Sequence, residues 1–96
     1  MKPSPALASH RQAVREIVMA HNALNPRVFG SSARGDDTAE SDLDLLVDPT
    51  PETTLLDIGA IRDELIRLLG VPVDVVTPNS LPERFRAEVI AGAIVV

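Results

Sequence analysis

Two aspartates, Asp42 and Asp44, stand where an apolar run begins, a placement that needs a chemical reason. Aspartate is depleted in β-strands, whereas the Leu45 to Val47 run is typical of one. Residues two apart on a strand point to the same face, about 6.5–7 Å apart along the chain. Both carboxylates therefore share one face, and Leu43, Leu45 and Val47 take the other. The pair predicts a site built from carboxylate oxygens.

A third carboxylate, Asp74, lies in a later apolar run, Val73 to Thr77. If the two strands are neighbours, Asp74 lies across from the pair at about 5 Å. At an effective dielectric constant near 20, each ionised pair at that distance costs about 3 kcal/mol. Because a domain is stable by only ~5–15 kcal/mol, the cluster requires protonation or a cation. All-oxygen ligands suit Mg²⁺ or Mn²⁺, and without a nearby histidine or cysteine zinc is disfavoured.

The dipeptide Gly30-Ser31 supplies the complementary feature upstream of the carboxylates. It follows the short apolar run Val28-Phe29, and a Gly-Ser pair in that position is typical of a sharp turn. Glycine lets a phosphate approach the backbone, free amides at a helical N-terminus favour anions, and Ser31 adds a hydroxyl donor. Carboxylate-held metal beside an amide-lined turn is what a nucleoside triphosphate needs.

Each feature also has a structural interpretation on its own. A Gly-Ser turn by itself marks only a loop, Asp42 alone could cap a turn, and Asp74 alone could pair with an arginine. Their joint occurrence at this spacing favours the nucleotide and metal site over a purely structural role.

The elements that must position these residues follow from apolar periodicity and capping residues. The first helix begins either at Ser4, with Pro5 at its first position, or at Ser9 in a capping box with Gln12. His21 on its apolar face is expected to be a packed residue rather than a ligand. The elements predicted up to the carboxylate pair are a helix over 4–22, a strand over 27–29, a helical turn over 31–35, a polar loop over 35–40 with Asp36, Asp37 and Glu40 exposed, and a strand over 41–47.

The second half of the chain predicts two further helices around the third strand. Thr53 or Thr54 caps the first of them, with Asp57 completing the box, and Gly70 ends it in a left-handed conformation. Its inward residues are predicted to be Leu55, Ile58, Ile61, Leu65 and Leu68. The next predicted elements are a strand over 73–77 and a helix that Ser80 and Glu83 cap. This helix runs to Ile90 and ends by Gly92, and its inward residues are predicted to be Leu81, Phe85 and Val89. The apolar tail over 93–96 is predicted to form a last strand or a partner contact.

Composition narrows the class of protein. With 96 residues, 45% hydrophobic and 24% charged, the chain predicts one globular α/β domain. A net charge of −5 disfavours direct nucleic-acid binding. No apolar run has the length of a membrane span or a signal peptide. The lack of cysteine excludes thiol chemistry and fits a cytoplasmic protein.

The segment Gly-Ser-x-Ala-Arg-Gly, five residues, then Ser-Asp-x-Asp-Leu, resembles the minimal nucleotidyltransferases of the DNA polymerase β-like superfamily. The resemblance implies a small mixed sheet flanked by helices. It implies that Asp42 and Asp44 hold two Mg²⁺ ions, with Mn²⁺ as an alternative. It also implies that Asp74 completes the catalytic metal site and helps deprotonate the attacking hydroxyl.

By the same resemblance, Gly30 and Ser31 grip the phosphates of ATP or another nucleoside triphosphate, and Arg34 and Ser41 complete the nucleotide-binding set. Both of these latter residues have alternatives. Arg34 could instead contact a partner, or it could form a salt bridge with Asp36 or Asp44. Of these interpretations we favour the salt bridge. Ser41 could orient the start of the strand.

Members of this branch are commonly antitoxins paired with a HEPN-domain ribonuclease toxin, and some transfer AMP from ATP to a tyrosine of the toxin. This chain contains no tyrosine, so such an acceptor has to lie on another molecule. The expected assembly is a hetero-oligomer with a partner or a homodimer. Two alternatives stay open: an interaction module that neutralises its toxin by binding alone, and nucleotidyl transfer to a small molecule.

Overall fold

A computed structural model describes all 96 residues as a four-stranded mixed sheet with helices on both faces. The sheet order is β3-β2-β1-β4, in which β1 is antiparallel to β2 and β4, and β2 is parallel to β3. The predicted α/β architecture is therefore confirmed. The elements in chain order are α1 (Pro3–Ala8), α2 (Arg11–Ala20), β1 (Ala23–Phe29), α3 (Ser31–Arg34), β2 (Leu43–Pro49), α4 (Leu55–Leu69), β3 (Val73–Val76), a 3₁₀ turn (Pro78–Ser80), α5 (Glu83–Gly92) and β4 (Ile94–Val95).

The core lies between the sheet and helices α1, α2 and α4. Alternation along β2 sends Leu43, Leu45 and Val47 to this side, and all three side chains are completely buried. They pack with apolar residues of α2 and α4, among them Val14 and Leu65. Burial of this face fixes the register of β2, because a slip by one residue would move every one of these side chains to the opposite face.

The parallel arrangement of β2 and β3 depends on the crossover helix α4. Thr54 caps this helix: its hydroxyl accepts from the amide of Asp57, and the Asp57 carboxylate accepts from the amide of Thr54. Gly70 ends the helix with a positive φ of 69°. Both predictions are confirmed. None of the helices has the length and apolar character that a bilayer crossing requires.

The single first helix predicted over 4–22 is wrong, because the segment forms two helices. His10 leaves the helical conformation, with φ −134° and ψ 23°, and separates α1 from α2. Neither predicted cap forms. The hydroxyl of Ser9 donates back to the carbonyl of Pro5, while Ser4 turns toward Asp37.

The strand boundaries also differ from the prediction. β1 begins at Ala23 rather than at Arg27. The strand continues through Asn25-Pro26 because the β1–β2 ladder is irregular between Leu24 and Arg27, and the missing amide of proline therefore breaks no regular ladder hydrogen bond. β2 begins at Leu43 because Ser41 takes part in the preceding turn.

Three side chains differ from the prediction in their exposure. Leu55 is 90% exposed, because the first turn of α4 does not reach the core. Phe85 of α5 is 45% exposed. The predicted Ser80 cap of this helix does not form, because α5 begins only at Glu83 and Ser80 closes the 3₁₀ turn with Thr77. Asp37, expected in a solvated loop, is only 7% exposed.

Candidate active site

Two of the predicted carboxylates, Asp44 and Asp74, lie side by side on the face of the sheet opposite the core. Asp44 of β2 pairs in register with Asp74 of β3, and Asp42 lies two residues earlier, just before β2 begins. Paired residues of neighbouring strands point to the same face, and the strands lie about 4.8 Å apart. The structure therefore brings together residues from two strands that α4 separates in the sequence.

The negative charges near Asp44 disfavour its ionised form, as the sequence predicts. Burial raises the pKa of the Asp44 carboxyl, and the negative charges of Asp74 and then Asp42 raise this pKa further. The positive charge of Arg34 acts in the opposite direction. Ionisation of the Asp44 carboxyl is therefore penalised, and a cation at its oxygens would relieve that penalty.

Gly30 brings the backbone of the turn directly against this carboxylate. It has a φ of 71°, a conformation that favours glycine. A β-carbon built at this position would lie 2.6 Å from Oδ2 of Asp44, well inside van der Waals contact. The glycine is thus required both by the backbone conformation and by the closeness of Asp44.

The turn that follows Gly30 is the short helix α3. The amides of Ala33 and Arg34 donate to the carbonyl of Gly30, both at 3.1 Å. Amides at the first positions of a helix, here those of Ser31 and Ser32, have no acceptor within the helix. The chain leaves α3 through Gly35, whose φ is 81°.

Ser32 is a residue that the sequence analysis did not single out. Its hydroxyl oxygen is buried and has no hydrogen-bond partner. The only local signal for it is a hydroxyl residue inside the Gly-Ser-x-Ala-Arg-Gly segment, and the sequence does not say which way that hydroxyl points.

Arg34 and Ser41 both make local contacts. Nε of Arg34 donates to Oδ2 of Asp36 at 3.3 Å, and both side chains are largely exposed, so the pair contributes little stability. The hydroxyl of Ser41 accepts from the amide of Thr38 at 2.8 Å and shapes the loop before β2. These contacts correspond to the structural alternatives for both residues, and their contact with a nucleotide stays a prediction.

The donor set fits a hard divalent cation. Asp42, Asp44 and Asp74 offer oxygen only, and Asp44 is already penalised by its like-charged neighbours. In the arrangement described, no three acidic or histidine side chains converge into a ligand set. A cation held here would therefore draw part of its coordination from another oxygen source, and phosphate oxygens are such a source.

A cleft of about 270 Å³ opens beside the carboxylates, between α3 and α5. Its lining residues come from the end of β1, from α3 and from α5, and are Phe29, Gly30, Ala33, Arg34, Glu88, Val89 and Gly92. Gly30 therefore lines the cleft and also lies against the carboxylate of Asp44.

The sequence model of the nucleotidyltransferase domain family matches residues 9–96. The protein adenylyltransferase MntA of Thermococcus cleftensis is 32% identical over 90 residues, which cover 94% of this chain and 88% of that protein. A Methanocaldococcus jannaschii protein with the provisional name protein adenylyltransferase is 33% identical over 78 residues, covering 81% of this chain and 84% of the relative.

Two solved structures are similar in fold. One, provisionally described as a minimal nucleotidyltransferase, superposes with a TM-score of 0.85 at 43% identity and covers 94% of this chain and 92% of its own. The other is described as a toxin–antitoxin with AMP-PNP. It has a TM-score of 0.74 at 17% identity and covers 88% of this chain and 69% of its own, a likeness of fold alone.

Proposed function

Because this chain belongs to the nucleotidyltransferase domain family and is therefore an enzyme of nucleotidyl transfer, we propose that it is a protein adenylyltransferase that acts as an antitoxin. It transfers AMP from ATP to a hydroxyl group of a partner toxin. The observation that carries the proposal is the pairing of Asp44 with Asp74 beside the Gly30 turn. Two carboxylates and an amide-lined turn at one place match the needs of a metal-bound triphosphate.

The proposal assigns a role to each residue of the site. Asp42 and Asp44 hold the metal, taken as two Mg²⁺ ions with Mn²⁺ as the alternative, and Gly30 and Ser31 bind the phosphates. When bound, the metal neutralises phosphate charge and supports in-line displacement. Asp74, exposed on β3, accepts the proton of the acceptor hydroxyl as that oxygen bonds to the α-phosphorus and the bond to pyrophosphate breaks.

The acceptor side of the proposal rests on the relatives. A relative bears the name protein adenylyltransferase, and a structural neighbour is a toxin–antitoxin with AMP-PNP. We take the acceptor to be a tyrosine of a HEPN-type ribonuclease toxin. Since this chain has no tyrosine, the reaction requires a complex with that partner. The proposal also keeps the expected cytoplasmic location and the absence of direct nucleic-acid binding.

Neutralisation of the toxin by binding alone is a second candidate, which exposed apolar side chains favour. Phe85, Ile90, Ile94 and Val95 of α5 and β4 are between 38% and 67% exposed. Such a surface suits a protein partner whether or not transfer occurs.

One experiment separates the two candidates. The purified chain is incubated with its partner toxin, ATP and Mg²⁺, and the toxin is weighed by mass spectrometry. Transfer predicts a toxin heavier by one AMP, and the Asp42→Asn, Asp44→Asn double variant should give none. No mass increase with a verified partner would exclude adenylylation. Full protection of cells by the double variant would establish neutralisation by binding.

A further inference from the structure

Three large apolar side chains are exposed where α2 ends and α4 begins. Met19, in the last turn of α2, is 64% exposed, and Leu55 and Leu56, in the first turn of α4, are 90% and 85% exposed. A single exposed apolar residue is ordinary, whereas several on adjoining segments are typical of an interaction site. We call these three residues the distal surface.

Hydrogen bonds fix the two helix ends relative to each other. The hydroxyl of Thr53 donates to the carbonyl of Asn22, and the side-chain amide of Asn22 donates to the carboxylate of Asp57 at 3.4 Å. Thr53 and Asp57 flank the two leucines of α4 in the sequence. The backbone amide of Asn22 donates in turn to the carbonyl of Met19, at 3.2 Å. The distal surface is therefore carried by segments that are held together without a partner.

The distal surface lies at the opposite end of the sheet from the candidate active site. Asp44 is near the start of β2, whereas the loop that leads to α4 follows Pro49 at its end. Five residues of strand separate these positions, a distance of about 16 Å. In the same way α2 leads into the start of β1, and Gly30 follows the end of that strand. A protein bound at the distal surface would therefore leave the carboxylates accessible.

The charges at this end of the molecule are all negative. Residues 16–24 and 48–57 contain four acidic residues and no lysine or arginine. Glu16 and Glu52 are exposed and form no salt bridge, while the other two acids are engaged by an arginine of β1 and in the cap of α4.

This charge pattern discriminates between possible occupants. A second copy of the chain would bring acidic residues against acidic residues, in a protein whose net charge is already −5. A partner whose apolar side chains are flanked by lysine or arginine would complement both the leucines and the acidic residues around them.

We propose that the distal surface docks the partner toxin, through a toxin segment in which apolar side chains are flanked by basic ones. The inference rests on the proposed function for the identity of the partner. It separates docking from transfer: the toxin is held at one end of the sheet, and its acceptor hydroxyl comes from a part that extends to the other end. Docking at this surface requires neither ATP nor a divalent cation.

The test measures binding without chemistry. The chain and its partner toxin are mixed without ATP or divalent cations, and affinity and association rate are measured by surface plasmon resonance. We expect the Leu55→Ser, Leu56→Ser double variant to bind about tenfold or more weakly, because the leucines lose their apolar contacts. Glu52→Lys should slow association about threefold or more, since a charge at the rim acts on the encounter. Asp63→Lys is the matched control: it makes the same change of charge at an exposed position further along α4, and should alter the rate by less than about twofold.

Three results would overturn the docking site. The first is unchanged toxin binding by the leucine double variant, folded by circular dichroism. The second is an equal effect of Glu52→Lys and Asp63→Lys, which would show a response to net charge alone. The third is a wild-type dimer that the leucine variant converts to a monomer in analytical ultracentrifugation, which would make a second copy the occupant. A wild type that does not bind the toxin would also exclude the inference.

The proposed function is judged by a separate measurement, the mass of the toxin after incubation with ATP and Mg²⁺. A toxin that binds through the distal surface and gains no AMP would support the docking site and exclude transfer. A toxin that gains AMP, and whose affinity the leucine variant leaves unchanged, would support transfer and exclude the docking site.

Discussion

The amide and the hydroxyl of Ser4 both donate hydrogen bonds to the carboxylate of Asp37, at 2.8 and 2.7 Å. These bonds join the N-terminal helix α1 to the segment between the α3 turn and Asp42. The two parts of the candidate site flank that segment, with the Gly30-Ser31 turn before it and the carboxylates after it. The position of α1 is thereby coupled to the loop that spaces the two halves.

The Ser4–Asp37 contact predicts a specific dependence of stability on pH. The hydrogen bonds from Ser4 hold the pKa of Asp37 below its ordinary value of 3.8. A lowered pKa in the folded state adds stability above pH 3.8, and that stability is lost as the pH falls through the lower folded value. Urea unfolding between about pH 5 and pH 2 should therefore show a smaller loss of stability in Asp37→Asn than in the wild type. Equal losses would contradict the contact.

For Asp44 we predict a pH dependence of folding stability with the opposite sign to that of Asp37. Its pKa is raised in the folded state, so its ionised form destabilises the protein above that raised pKa, and the penalty disappears as the pH falls toward 3.8. We expect Asp44→Asn to be more stable than the wild type at pH 7 by about 1 kcal/mol, since partly exposed charges are screened. The gap should close on acidification.

Asp63→Asn provides the control for this effect, because it removes the same charge from an exposed position of α4. It should change stability at neutral pH by less than Asp44→Asn. A wild type more stable than Asp44→Asn at pH 7 in the absence of divalent cations would show that the carboxylates do not repel one another.

Gly30 predicts a costly alanine substitution. The new β-carbon would meet Oδ2 of Asp44 at 2.6 Å, and alanine would have to adopt a φ of 71°. We expect Gly30→Ala to lose about 1–3 kcal/mol of unfolding free energy and to abolish transfer. Gly59→Ala in α4, where a β-carbon has open space, should instead gain about 0.5–1 kcal/mol. Urea unfolding of both variants measures the contrast, and equal effects would contradict the close approach.

Divalent cations should stabilise the folded chain through the carboxylates of Asp42, Asp44 and Asp74. Because the carboxylates of β2 and β3 are brought together only by folding, we expect Mg²⁺ to bind the native state and to raise its unfolding temperature. At one hundred times the dissociation constant the gain is about 2.7 kcal/mol. The Asp42→Asn, Asp44→Asn variant should show no such gain in thermal scans with and without Mg²⁺. An equal rise in both proteins would place the ion elsewhere.

Local patterns predicted the parts of the fold that depend on neighbouring residues. The alternation around Asp44 fixed its face, the capping box of Thr54 fixed the start of α4, and Gly70 fixed its end. The prediction that Asp74 lies across from the aspartate pair depended on β2 and β3 being neighbours, and the observed pairing of Asp44 with Asp74 meets that condition.

The remainder depended on contacts that local patterns do not contain. The burial of Asp37 requires Ser4, 33 residues away, and a polar loop gives no sign of such a partner. Leu55 continues the apolar stripe of α4 but lies past the end of the core, and its exposure follows from the length of the helix relative to the sheet. The cleft on α5 was not predicted, because its walls come from separate elements.

The contact between Gly30 and Asp44 makes the two positions interdependent in one direction only. While an aspartate occupies position 44, position 30 accepts no β-carbon. Once that side chain is shortened the steric bar is removed, but the backbone of position 30, with φ 71° and ψ −147°, still lies in a region essentially reserved for glycine. A homologue that loses the aspartate, and catalysis with it, is therefore expected to keep the glycine, so that Gly30 records retention of the turn rather than selection for the chemistry.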